Sequence, residues 1–260
     1  MKVISFNANG IRAAARKGFY AWLHAQNADF VCIQETKAAL GALSHDEQFF
    51  PTGYDCHYVA AEKKGYSGVA LYARQAPLSV IRCVDYPVAD SEGRYLQFDY
   101  PGWSIASIYF PSGTSGEHRQ VVKDDFLAWV NQRVHQLRAD GRELILCGDF
   151  NIAHHPIDLK NWRANQKHSG FLPHERAWLD QLFGPMGFVD AFRVLNQEPE
   201  QYTWWSNRGQ ARANNVGWRI DYQAVTPGIA SSITEVDIYV GAWFSDHAPL
   251  VIVYDGAWCV

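Results

Sequence analysis

Six short stretches of this 260-residue chain end or interrupt an apolar run with residues that a protein core rejects. FNANG carries Asn7 and Asn9, IQET carries Glu35, IYFPSG carries Tyr109, LCGDFN carries Asp149 and Asn151, RIDY carries Asp221, and FSDHAP carries Asp246 and His247. The carboxylates Glu35, Asp149 and Asp246 and the carboxamides Asn7 and Asn151 are hard oxygen donors. Such a set suits Mg²⁺ or Mn²⁺, which keep several waters and take one or two protein carboxylates together with phosphate oxygens. Zinc matches it less well. A His/Asp pair beside hard-metal ligands points to phosphoester hydrolysis, with the metal offsetting phosphate charge and an acid/base residue preparing water.

Taken singly, each stretch has a plainer reading. Asn-Ala-Asn-Gly is a good turn, Glu35 a charge at a strand end, Gly148-Asp149-Phe150-Asn151 a turn with Asx hydrogen bonds, and Ser245-Asp246-His247 a helix cap or a bonded pair. Asp221 is harder to explain this way, because a carboxylate inside an apolar strand needs a partner, and histidine is a natural one. His154 and His155 are weaker candidates, expected beyond the metal on the way to the segment KNWRANQKHSGF (160–171). That segment combines Lys160, Arg163 and Lys167 with Asn161 and Asn165, a pattern suited either to phosphate contacts or to a solvated surface.

The elements that must position these residues are short. Strands are expected at 2–6, 29–34, 68–73, 103–109, 143–147, 219–225 and 250–254, where β-branched and apolar runs are bounded by Gly, Pro or polar residues. Helices are expected at 18–27, with Phe19, Trp22, Leu23 and Gln26 on one face, and at 121–137, with Val122, Phe126, Trp129, Val130 and Leu137 near the helical period. A third is expected at 172–183, where Pro173 sits in the first turn. Strands in both halves with helices between them indicate an α/β fold, in which strand-end loops gather ligands and catalytic groups. The absence of a linker or repeat indicates one domain over 1–260.

With 48% hydrophobic and 19% charged residues, the composition is that of a folded globular chain rather than a disordered one. No apolar run approaches the roughly 20 residues of a membrane span, and Asn7 and Asn9 interrupt any signal-peptide core, so a cytoplasmic protein without a membrane partner is expected. Cys32, Cys56, Cys83, Cys147 and Cys259 are odd in number and unpaired in spacing, the pattern of reduced, mostly buried thiols. The net charge of −4 does not advertise a nucleic-acid binder. It does not exclude one, because an acidic metal site lowers the total while basic residues elsewhere still meet phosphates.

FNANGIR, IQETK, YFPSG, CGDFNIA, NVGWRIDY and FSDHAPL, in this order over nearly the whole chain, resemble the exonuclease III family of apurinic/apyrimidinic endonucleases in its bacterial form, within the endonuclease/exonuclease/phosphatase superfamily. The resemblance implies a four-layer α/β sandwich, two packed mixed β-sheets flanked by helices, with the site at one edge of the sheets. It implies that Glu35 is the principal Mg²⁺ ligand, with Mn²⁺ as a substitute, and that Asn7 and Asp246 lie close to the same ion. Asp149 would activate the attacking water, and Asn151 would orient it and help stabilise the transition state. His247 would contact the scissile phosphate, oriented by Asp221, and Tyr109 would stand near the phosphate and leaving group. Asp149, Asn151 and His247 thus also count among the metal-site candidates.

The implied activity is hydrolysis 5′ to an abasic site in duplex DNA, leaving a 3′-hydroxyl, with 3′-5′ exonuclease or 3′-phosphodiesterase activity on blocked 3′ ends. Trp204 and Trp218 match residues lining a pocket for the flipped-out abasic sugar, whereas Trp205 reads as core. A monomer is expected. Two departures stand out: Asn9 replaces an Asp of some members, weakening any second metal position, and His168 replaces an Asn in the DNA-facing loop. The rival readings are a non-catalytic regulator of the catabolite repression control type, which shares the fold and a KNWR segment but lacks the full acidic set, and a phosphatase of small phosphoesters.

Overall fold

Short apolar runs rich in β-branched residues cannot bury themselves alone, and in this chain they pair into two sheets. The computed structural model describes residues 1–256. In chain order the strands are β1 (Lys2–Asn7), β2 (Phe30–Gln34), β3 (Asp55–Val59), β4 (Val69–Ala73), β5 (Ser79–Ile81), β6 (Tyr95–Tyr100) and β7 (Trp103–Tyr109). They continue as β8 (Glu143–Asp149), β9 (Val189–Asp190), β10 (Trp204–Trp205), β11 (Gly217–Trp218), β12 (Asp221–Val225), β13 (Ile233–Ile238) and β14 (Leu250–Tyr254).

One six-stranded sheet runs β13-β14-β1-β2-β4-β3 and the other β5-β6-β7-β8-β12-β9, while β10 and β11 form a separate two-stranded ribbon. Both sheets are mixed: β1/β2 and β7/β8 are parallel pairs, and the other pairings are antiparallel. Between the sheets lie Val3, Cys32, Leu71, Leu96, Ile105, Ile145, Cys147 and Leu250. The helix Phe19–Gln26 packs Phe19 and Leu23 onto the first sheet, and the helices Glu117–Ala139 and Pro173–Leu182 cover the second with Phe126, Val130, Leu137, Trp178 and Leu179. The order helix, sheet, sheet, helix is the four-layer α/β sandwich. Each large apolar side chain removed from water contributes roughly 1.5–3 kcal/mol.

All seven expected strands form, with ends shifted by up to two residues. The run expected at 219–225 starts pairing at Asp221, because Arg219 is fully buried in ion pairs with Asp158 and Asp190. The helix expected at 121–137 spans Glu117–Ala139, and its buried face is Lys123, Phe126, Leu127, Val130, Val134 and Leu137. Val122 and Trp129, expected on that face, are only partly covered, and a lysine takes the inner position instead. Cys32, Cys56, Cys83 and Cys147 are free, though only Cys32 and Cys147 are buried; Cys259 lies outside the described residues. Among the described residues no helix is long and apolar enough to cross a membrane.

Candidate active site

Sheet register assembles the site. The parallel pairing of β7 with β8 sets Tyr109 beside Asp149, and the antiparallel pairing of β8 with β12 sets Asp221 opposite Asp149. Gly148 permits the first approach, since a Cβ there would run into the Ile108 carbonyl. The parallel pair β1/β2 delivers Asn7 and, one residue past its end, Glu35 to the same rim of the sandwich. The turn before β14 adds Asp246 and His247, held by Ser245 Oγ donating to the Asn7 carbonyl at 2.7 Å. Glu35 and Asn151 have φ of 51° and 53°, a strained left-handed conformation of the kind that clusters where function over-determines the backbone.

A hydrogen-bond network joins these groups. Asn7 Nδ2 donates to Glu35 Oε1 at 3.0 Å and to Asp149 Oδ2 at 2.9 Å, while Asn7 Oδ1 accepts from the Asn9 backbone N–H. Asn7 therefore turns its NH₂ toward the two carboxylates, a different arrangement from the oxygen ligand expected of it. Tyr109 donates to Glu35 Oε1 at 2.8 Å, and Lys37 pairs with Glu35 Oε2 at 2.8 Å and also bonds Asn9. Asn9 Nδ2 and Trp204 Nε1 reach the two oxygens of Asp246 at 2.9 and 3.2 Å. Asn151 bonds Asp149 Oδ1 through its backbone N–H and the Phe110 carbonyl through Nδ2.

His247 is buried, with Nδ1 2.8 Å from Asp221 Oδ2 and Nε2 3.8 Å from Asp149 Oδ2. Burial lowers its affinity for a proton, but the Asp221 carboxylate, its hydrogen bond and Asp149 outweigh this and raise the pKa to about 10. The ring is a cation at neutral pH. Burial, then the Asp221 and Glu35 carboxylates, push Asp149 up to about 7 against the pull of His247. Burial also works against an ionised Glu35, yet Lys37, Asn7 and Tyr109 together bring its pKa below the usual range. Burial first, and Glu35 second, keep the Tyr109 phenol protonated.

Glu35, Asp149, Asp221 and Asp246 thus converge against the cations Lys37 and His247, and Asp221 Oδ1 is buried without a hydrogen-bond partner. This surplus of negative hard oxygens could hold a metal ion, and ligand atoms of Asp149, Asp221 and His247 lie within 4.8 Å of one another. In front of them opens a cleft of about 460 Å³. Its lining carries Glu35, Tyr109, Asp149, Asn151, Asp246 and His247 together with the rings of Trp204 and Trp218, which meet edge to face with centroids 6.4 Å apart.

The candidate DNA-facing residues sit elsewhere. Lys160, Asn161, Asn165, Arg163 and His168 do not line the cleft. Lys160 pairs with the exposed Glu200, Arg163 stacks on Trp162, and Asn165 donates to the Asn161 carbonyl. Trp205 is core, as expected, and the paired His154 and His155 lie outside the cleft, stacked at 3.6 Å with His154 Nε2 2.9 Å from Asp180. Ser112, Thr114, Ser169 and Arg208 line the cleft without being marked in the sequence. They sit on loops whose approach depends on tertiary packing; Ser112 falls within YFPSG and Ser169 within KNWRANQKHSGF, though neither residue is singled out there. Lys37 has a signal, its adjacency to Glu35 in IQETK.

The profile of the Endonuclease/Exonuclease/phosphatase family matches residues 4–247, which span every group of this site. The chain belongs to this family. It is 37% identical to an exodeoxyribonuclease of Bacillus subtilis over 97% of this chain and 99% of the relative. It is 35% identical to a DNA-(apurinic or apyrimidinic site) endonuclease of Dictyostelium discoideum over 98% of this chain and 71% of that protein. Among solved structures, an AP endonuclease from Archaeoglobus fulgidus superposes with a TM-score of 0.86 at 28% identity, covering 98% of this chain and 99% of the other. Within the family this chain is an enzyme of the exonuclease III type.

Proposed function

We propose that this nuclease hydrolyses the phosphodiester 5′ to an abasic site in duplex DNA with Mg²⁺, leaving a 3′-hydroxyl, and also trims blocked 3′ ends by 3′-5′ exonuclease or 3′-phosphodiesterase action. The observation that carries this reading is the junction of two unlike walls in one cleft. An acidic cluster with a buried imidazolium lines the same cleft as the touching rings of Trp204 and Trp218. A phosphodiester suits the first and an extruded sugar without its base packs against the second, and extrusion is cheapest where no base must be unstacked.

Asp149, with a proton affinity near neutral, accepts a proton from water as its oxygen forms a bond to phosphorus. Asn151, tied to Asp149 by its backbone N–H, holds the adjoining wall, and the P–O3′ bond breaks as the leaving oxygen takes a proton from solvent water. His247, fixed by Asp221, donates to a nonbridging oxygen where negative charge grows. Tyr109, kept protonated, and Asn7 hold Glu35 in place through hydrogen bonds. Glu35, Asp149 and Asp246 would hold the metal, Mg²⁺ or Mn²⁺, which supplies charge neutralisation at the phosphate. Lys160, Arg163, Asn161, Asn165 and His168 meet the flanking DNA backbone, and the enzyme acts as a cytoplasmic monomer.

A non-catalytic regulator is disfavoured because Glu35, Asp149, Asn151, Asp246 and His247 are all present and four of them share one network. Incubation with a duplex bearing one abasic site, with Mg²⁺ and then with EDTA, tests the reading. Incision in Mg²⁺ that stops in EDTA supports it, and an intact duplex in both refutes it.

A further inference from the structure

A lysine and a glutamate, both with fully buried side chains, stand behind the cleft without lining it. Lys123 lies on the helix Glu117–Ala139 and Glu175 in the first turn of the helix Pro173–Leu182, with Nζ 2.6 Å from Oε1. Several of their remaining bonds run toward the site. Lys123 Nζ donates to the backbone carbonyl of Asn151 at 2.8 Å. Glu175 Oε2 accepts from the N–H groups of Gly170 and Leu172 at 2.7 and 3.0 Å, and Oε1 accepts from Ser169 Oγ at 3.2 Å. Gly170 in turn accepts from the Ala153 N–H, two residues beyond Asn151.

The pair also reaches the neighbouring 112–114 loop through Gln120. Gln120 donates to Glu175 Oε1 at 3.1 Å, and Gly113 packs so closely on Gln120 and Ser169 that a Cβ there would strike both. Two wall segments, Asn151 and 169–170, thus bond the ion pair directly, and the 112–114 loop packs on Gln120 and Ser169, which bond Glu175. Replacing a buried ion pair with apolar side chains of similar volume is often neutral or stabilising, so stability alone does not account for one here.

We infer that Lys123 and Glu175 are positioning residues: they hold Asn151, in its strained backbone conformation, at a fixed distance from Asp149 and lock the 169–172 wall to it. Neither touches substrate. The rate readout of this inference rests on the nuclease reading above.

The test compares Lys123→Met, Lys123→Met/Glu175→Gln, Asn151→Ala and Lys123→Met/Asn151→Ala in the full chain, at a temperature where each is folded. Small displacements of a reacting constellation cost up to about 100-fold, so Lys123→Met is expected to lower kcat on an abasic duplex about 10- to 100-fold with KM almost unchanged. In Lys123→Met/Glu175→Gln the glutamine still accepts from Gly170 and Leu172, so the melting temperature recovers while kcat does not. Because Lys123 acts through Asn151, adding Lys123→Met to Asn151→Ala is expected to cost less than about twofold more. Recovery of kcat along with the melting temperature, or full multiplication of the two single effects, would overturn the inference. If the wild-type protein turns over no abasic duplex, the nuclease reading fails and the Asn151 side-chain amide resonance decides the inference separately. A shift of that resonance in Lys123→Met supports it, and an unmoved resonance refutes it.

Discussion

His247 Nδ1 lies 2.8 Å from Asp221 Oδ2, and the same ring presents Nε2 to Asp149 Oδ2 at 3.8 Å. The imidazolium is therefore shared between two carboxylates, one at hydrogen-bond distance and one farther off, and all three side chains are nearly sealed from solvent. The register of one sheet sets Asp221 opposite Asp149 across β12 and β8, and the turn before β14 of the other sheet brings His247 to them.

Replacing Asp221 with Asn removes the charge that keeps His247 protonated and frees the ring to turn. The expected outcome is a fall in kcat of roughly 10²-fold, the loss seen when one preorganised donor is removed, with the fold retained. Steady-state kinetics with ¹⁵N resonances of the His247 ring checks it. Full activity with a neutral ring would remove His247 from its role.

Asp149 is expected to lower stability above neutral pH when no metal is bound. Its folded pKa, about 7, lies above the unfolded value, so the folded state binds the extra proton and stability falls as pH rises from about 4 through 7. Asp149→Asn should melt at a higher temperature than the wild-type protein at pH 8 in EDTA, a gain on the order of 1 kcal/mol. Added Mg²⁺ should raise the wild-type melting temperature and leave the variant's almost unchanged. Calorimetry with and without Mg²⁺ checks both, and a destabilised Asp149→Asn at pH 8 would contradict them.

Asp158 has the opposite sign. Burial opposes its ionisation, but Arg219 and Arg193 overcome this and hold its pKa well below the usual carboxylate range. The stability it contributes is present above about pH 4, the unfolded value, and is lost as pH falls toward the folded one. Asp158→Asn is expected to lose about 3 kcal/mol at pH 7, the scale for breaking a buried pair, and the deficit should shrink between about pH 4 and 2. Urea melts across that range measure it, and a pH-independent deficit would show that the ion pairs are not its source.

Lys160 and Arg163 test the loop outside the cleft. If they meet DNA phosphates, the double substitution Lys160→Ala/Arg163→Ala should weaken duplex binding and reduce the slope of log K against log salt by about 2, one for each phosphate no longer neutralised. Fluorescence anisotropy over a salt series checks this. An unchanged slope would return both side chains to their observed partners, Glu200 and the Trp162 ring.

Much of the fold is legible in the sequence because β1, β2, β4, β7, β8 and β14 are largely apolar runs, as strands buried on both faces must be. β6 is harder to read, since Gln97 and Asp99 interrupt YLQFDY and are accommodated by Ser79, Ser104, Arg133 and Arg142 from other segments. β13 is obscured by a register shift between Ile233 and Glu235 that breaks its alternation. The polar strand ends stand out, so Glu35, Asp149, Asp221 and His247 are found as residues; that Asn7 offers its NH₂ follows only from Asn9 capping its oxygen. Lys123 stays hidden because a lysine in a helix normally reads as surface, and its partner lies 52 positions away.

The most direct measurement is incision of a 5′-labelled duplex carrying one abasic site, by the wild-type chain and by Asp149→Asn, in Mg²⁺ and in EDTA, with the product ends mapped. The expected result is a fragment cut 5′ to the site with an extendable 3′-hydroxyl, formed by the wild-type chain in Mg²⁺ and lost both in EDTA and in Asp149→Asn. Equal incision by Asp149→Asn, cleavage 3′ to the site, or no incision by the folded wild-type chain in Mg²⁺ would contradict it.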